Sequence, residues 1–88
     1  MDWRVPCHPG EVIAESLHDM ELTASALAAA LGISRSTLHR LLCGARAMTP
    51  EVALALERQG WSTAEQWMRM QAAHDLARLR RDTAPQAA

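Results

Sequence analysis

The sequence predicts an all-α fold of five helices. Two short helices joined by a tight turn occupy residues 24–43, and a long helix closes the domain. Three observations point there. The chain has no Tyr or Phe and much Ala, so the aromatic and β-branched types that strands prefer are scarce and helix formers abound. Apolar residues return at helical spacing, and no stretch reads as a convincing strand. Start and stop signals bracket the helices, with Thr49-Pro50-Glu51 opening one and Gly32, Gly44 and Gly60 each closing one.

Residues 1–8, with Trp3, Val5 and Pro6, read as an extended lead-in. The first helix starts at Pro9, with Glu11 near the positive end of its dipole. Val12, Ile13 and Leu17, with Met20 a further candidate, face inward. Glu11, Glu15 and Asp19 recur at i+4 as an acidic stripe. His8 is read as capping or ordering the beginning of this helix. Thr23 caps the second helix, whose buried face is Leu27, Ala28 and Leu31. Gly32 ends it, with a positive φ expected. Ser34 caps the third helix, Arg35 to Cys43, which turns Leu38, Leu41 and Leu42 to the core. The fourth carries Val52, Ala53 and Leu56. The fifth begins near Ser62 or Thr63, where Ser62 and Glu65 have capping-box spacing, and runs to about Arg81. Residues 82–88 read as a frayed tail.

A chain of 88 residues makes one small domain, with a core that is marginal and often completed by a partner subunit. Its formal net charge is −1, but the charge is unevenly placed. Arg4 stands against Asp2, Glu11, Glu15, Asp19 and Glu21 in the first 33 residues. Arg35, Arg40 and Arg46 then follow with no acid between residues 34 and 46. A phosphate backbone answers to such a local patch more than to the total. Cys7 and Cys43 are too few for a disulfide scaffold and read as reduced thiols of a cytoplasmic protein. No signal peptide or membrane-length apolar run is seen, and Cys43 reads as a small apolar residue beside Gly44.

The outer face of the third helix carries Ser34, Arg35, Ser36, Thr37, His39 and Arg40, residue types that reach bases and phosphates from a recognition helix. His39 is equally a plain surface histidine. Cys7, His8, His18, Cys43 and His74 have no recognisable zinc-ligand spacing, so no metal and no cofactor are expected. The acids lack a nucleophile–base pair or a Gly-rich phosphate loop, so the chain is not expected to be an enzyme. Trp61, Trp67, Met68, Met70, Leu76 and Leu79 give the last helix more apolar surface than so small a domain can cover. Some belong to the core, and the rest are candidates for a two-fold dimer seam.

His8-Pro9-Gly10-Glu11, the stretch LAAALGISRSTLHRLLCGARAMTPEVALAL and the closing Trp67…Gln71…Asp75-Leu76 segment together resemble the HigA-type antitoxins, close to the VapI proteins and within the XRE/Cro/C1 class. The resemblance spans roughly residues 5–81. It implies a lambda-repressor-like helix-turn-helix domain, a homodimer and binding to double-stranded operator DNA. It also implies autorepression and neutralisation of a HigB-like toxin, an mRNA endonuclease. The recognition surface maps onto Ser34, Arg35, Ser36, Thr37, His39 and Arg40, with phosphate contacts from Thr23, Ser25 and Arg46. The acidic stripe of Glu11, Glu15 and Asp19 becomes a candidate toxin contact. Ala24 and Ala29 depart from the family, which often has Gln and a basic residue there, so anchoring to the backbone is expected to be weaker. Two alternatives remain open: a stand-alone phage-type repressor, and an interaction module that has lost DNA binding.

Overall fold

The computed structural model describes residues 7–83. They form α1 (Pro9–Asp19), α2 (Ala24–Leu31), α3 (Arg35–Leu42), α4 (Pro50–Arg58) and α5 (Ala64–Thr83), with no strand among the described residues. The lead-in reading of Trp3, Val5 and Pro6, and the tail reading for residues 84–88, lie outside them.

α1 starts where the sequence says it should. His8 is extended, and its Nδ1 accepts the Gly10 N–H at 2.9 Å, while Pro9 fills the first position, where no amide proton is missed. Gly10 has a separate reason. The start of α1 lies so close to α3 that a Cβ at position 10 would stand 1.8 Å from the Leu41 carbonyl oxygen. α1 buries Ile13 and Leu17, whereas Met20 is 55% exposed.

Thr23 caps α2 through the Ala26 N–H at 3.1 Å. Gly32 ends α2 in the left-handed region at φ 72°, and the Ile33 N–H reaches back to the Ala28 carbonyl at 3.1 Å. Ala28 is completely covered, so its small size sets how closely α2 can approach its neighbours. In α4, Pro50 again takes the first turn behind Thr49. Ile13, Leu38, Ala53 and Leu56 are fully buried and form the centre of the core. Each large apolar side chain there contributes roughly 1.5–3 kcal/mol.

The start of α5 differs from expectation. Ser62 has φ 64°, which rules it out as an N-cap, since a cap needs an extended backbone. The Thr63 hydroxyl instead accepts the Gln66 N–H at 3.1 Å, and the Glu57 carboxylate accepts the Ala64 N–H at 2.9 Å. The capping residue is therefore one position later, because the chain reverses tightly between α4 and α5. The Trp67 indole N–H donates to the Trp61 carbonyl and closes that reversal. The end of α5 differs as well. Asp82 and Thr83 are helical, and the Thr83 hydroxyl donates to the Leu79 carbonyl at 2.6 Å, so the expected tail begins too early.

The apolar set of α5 divides in two. Trp67 is buried in the protomer's own core, and Trp61, Met68 and Met70 pack half-buried against it. Trp67 is thus committed within one chain. Leu76 and Leu79, 49% and 60% exposed, lie on the half of α5 beyond the body of the domain. No helix of the described residues is long and apolar enough to cross a membrane.

Candidate nucleic-acid interface

The helix-turn-helix holds α3 by its buried side. Leu38 and Leu41 anchor it to the core, which leaves Arg35, Ser36, His39 and Arg40 exposed on its outer face. Together with Ala24 from the start of α2, these four line an open hollow of about 570 Å³. A longer side chain at position 24 would partly fill that hollow, so the bareness of α2 is a local feature of this surface. Thr23 and Ser25 are exposed at its edge. The Thr23 hydroxyl is already engaged as a cap, and what it can still offer a phosphate is its proton.

Ser34 and Thr37 are less free than the sequence suggests. The Ser34 hydroxyl accepts the Thr37 N–H at 3.0 Å and donates to the Thr37 hydroxyl at 2.8 Å. Ser34 therefore shapes the start of α3, and only the Thr37 hydroxyl keeps a proton to offer. His39 lies beside Cys43, with its Nε2 3.5 Å from Sγ. Cys43 is exposed at the end of α3 and touches an imidazole there, so its expected role as a small apolar residue is only part of its setting.

Arg46 is exposed on the loop after α3. The loop is well held. The Ala45 and Arg46 N–H groups both donate to the Arg40 carbonyl, at 2.9 and 3.2 Å. The Met48 N–H donates to Gln71 Oε1 at 2.7 Å, with both residues buried. Gln71 Nε2 in turn donates to Asp75 Oδ1 at 2.9 Å. The sequence reading gave Met48 no role and named Gln71 only as part of the closing segment that carries the resemblance. The available signal was Gln71 one turn after Trp67, and so on the same helix face, with Asp75 one turn further on. Arg35 and Arg40 share the hollow, Arg46 is exposed on the following loop, and the sequence between residues 34 and 46 contains no acid.

A second surface shares no lining residue with the first. Val12, Ser16 and Met20 on α1 face Gln59, Gly60, Trp61, Ser62 and Trp67 across a mostly apolar groove of about 390 Å³. Helical spacing places exposed Glu15 and Asp19 along its α1 edge, with Glu11 one turn earlier. α1 contains no Arg or Lys, so the edge it gives the groove is acidic.

Known proteins share this arrangement. The family model of the IclR helix-turn-helix domain matches residues 14–43. Virulence-associated protein I of Dichelobacter nodosus is 40% identical over 76 residues, covering 85% of this chain and 70% of that protein. An addiction module antidote protein of the HigA family from Coxiella burnetii superposes with a TM-score of 0.85 at 33% identity, covering 91% of this chain and 88% of that one. The chain belongs to the HigA-type antitoxin family. The Pseudomonas aeruginosa antitoxin HigA, solved with the higBA promoter, is also similar, at TM-score 0.81 and 31% identity over 88% of this chain and 85% of that one. The family consists of helix-turn-helix regulators, and this HigA-type chain is accordingly not an enzyme.

Proposed function

We propose that this HigA-type protein is a homodimeric, sequence-specific autorepressor that also neutralises a HigB-like mRNA endonuclease toxin in the cytoplasm. The observation that carries the DNA reading is the exposed face of α3 with Arg35 and Arg40, in a run of residues 34–46 that contains no acid, on a helix anchored by Leu38 and Leu41. The promoter complex of the Pseudomonas aeruginosa relative supports it.

The mechanism follows from the chemistry of that surface. Arg35, at the start of α3, offers a bidentate fork to a guanine edge in the major groove, worth roughly 1–3 kcal/mol of discrimination. Ser36, His39 and Arg40 lie on the same face. Arg46, Thr23 and Ser25 hold phosphates, which adds affinity without sequence preference. A two-fold dimer sets two such helices about 34 Å apart, one turn of DNA, and blocks transcription there. The toxin takes the other surface. A basic protein fits the edge of Glu11, Glu15 and Asp19, and an apolar side chain fits the groove beside it.

Replacing Arg35→Ala together with Arg40→Ala tests the reading. Both side chains are exposed, so the fold is retained and the circular dichroism spectrum is unchanged. The operator gel shift is expected to disappear. A folded double variant that still shifts its operator with wild-type affinity overturns the assignment.

A further inference from the structure

The polar side chains that face inward are not spread through the core. They gather at one place, where the start of α1, the loop after α3 and the middle of α5 meet. His8 and Gln71 are the buried polar residues of the described chain, at 4% and 5% exposure. Gln71 reaches across from α5 and binds the Met48 N–H of the loop. His8 closes the other side. Its Nδ1 is taken by the Gly10 N–H, its ring meets His74 of α5 edge-on at 5.1 Å, and the Arg46 backbone is a further hydrogen-bonding neighbour of the ring. Gly44 lies against the same ring, where a Cβ would stand 3.9 Å from His8 Cγ.

Apolar side chains of the same size would fill this space. A buried polar group is costly unless it is satisfied, and satisfied networks fix one arrangement. These groups fix the far end of the loop carrying Arg46: the Ala45 and Arg46 amides are held by the Arg40 carbonyl of α3, while the Met48 amide has its partner outside the loop, on α5. We infer that Gln71 and His8 are positioning residues that lock the Arg46 loop to α5 and α1, so that a phosphate-binding side chain is held in register with the reading face of α3. This rests on the proposed DNA reading. It adds that α5 acts on the DNA surface through its inner face, independently of any contact made by its outer face.

The experiment compares operator affinity across a series of salt concentrations. Each phosphate contact contributes about 0.9 to the slope of log affinity against log salt. Gln71→Leu removes the acceptor for Met48, and its slope is expected to fall by about 0.9, as for Arg46→Ala. The double variant should fall no further than Arg46→Ala alone, because both changes remove the same contact. Gln71→Glu keeps an acceptor for the Met48 N–H but sets a second carboxylate against Asp75, so it is combined with Asp75→Asn, whose amide can donate in return, and that pair is expected to recover most of the slope. A wild-type slope for folded Gln71→Leu overturns the inference, and so does a double variant in which the two losses add in full.

Gln71→Leu could fail to fold, so amide hydrogen exchange on the unaltered protein supplies a second measurement. The Met48 amide should exchange as slowly as the α5 amides around Gln71. Exchange at the rate of an open loop overturns the inference. The exchange result needs no DNA. A wild-type protein that bound no operator would therefore sink the DNA reading while leaving the tie between Gln71 and Met48 separately measured.

Discussion

Gly10 brings the start of α1 against the Leu41 carbonyl, and a methyl group there would sit far inside contact distance of backbone that cannot rotate away. Gly10→Ala must push α1 and α3 apart, which opens the core around Ile13 and Leu38. The expected loss is about 3 kcal/mol, read as a lower urea midpoint. An unchanged midpoint would show that the helices separate freely. His8, two residues earlier, carries a pH dependence. Burial, and then the neighbouring His74, hold its imidazole below the ordinary value of 6.5, while Asp75, Glu11 and the Arg46 carbonyl pull the other way. The unfolded chain therefore takes up the proton first. Stability is complete above pH 6.5 and falls as pH drops below it toward the lowered value. A proton on Nδ1 also ends the acceptance of the Gly10 N–H. His8→Asn, which can still cap, should flatten the decline in thermal midpoint between pH 7 and pH 5. A decline as steep as in the wild type would place the titration elsewhere. The capping role was legible in His8-Pro9-Gly10. The need for glycine at 10 was not, because it depends on Leu41, a residue far along the chain.

At the scale of elements, the helix boundaries that rest on local chemistry were legible. Thr23, Ser34 and Thr49 each cap the helix they precede, and Gly32 has the positive φ its position requires. The start of α5 was placed near Ser62 or Thr63, and only the capping-box reading of Ser62 fails, because two hydroxyls adjoin there and the reversal after Gly60 decides which one can be extended. Ser62 takes the left-handed turn and leaves the cap to Thr63. The surfaces follow the same division. That Arg35, Ser36, His39 and Arg40 share one face follows from helical spacing alone. The groove beside α1 needed the fold, since Trp61 and Trp67 come to it from another element. On the proposed toxin reading, the acidic edge of that groove gives α1 a separable role. Glu15→Arg with Asp19→Arg reverses the edge charge on exposed residues and should leave the operator gel shift intact. Co-purification with the tagged toxin should be lost. Retained capture would move the toxin site off α1, and a lost gel shift would show that the two surfaces are not independent.

For the whole molecule, the open question is what covers the outer half of α5. The helix has 20 residues, about 30 Å of the molecule's 51 Å longest dimension. Its inner half is committed to the core through Trp67 and to the Arg46 loop through Gln71. Only Leu76 and Leu79 of the expected seam remain outward, each about half exposed. Covering what is still exposed on four such leucines, two from each copy, contributes about 5 kcal/mol. Association itself costs at least about 4 kcal/mol. A seam resting on these leucines alone is therefore close to balance, and the free protein should exchange between monomer and dimer as concentration rises. On the proposed operator reading, DNA shifts that balance, because two half-sites one turn apart would hold two copies together. Operator binding should accordingly be cooperative in protein concentration. Leu76→Arg with Leu79→Arg provides the decisive comparison, since both side chains are exposed and the core is untouched. Sedimentation should show only monomer, and the gel shift should need more protein and lose its cooperativity. Trp67→Arg would not serve, because it places a charge in the core and unfolds the protomer it was meant to separate. A double-leucine variant that remains dimeric and cooperative would move the seam away from α5.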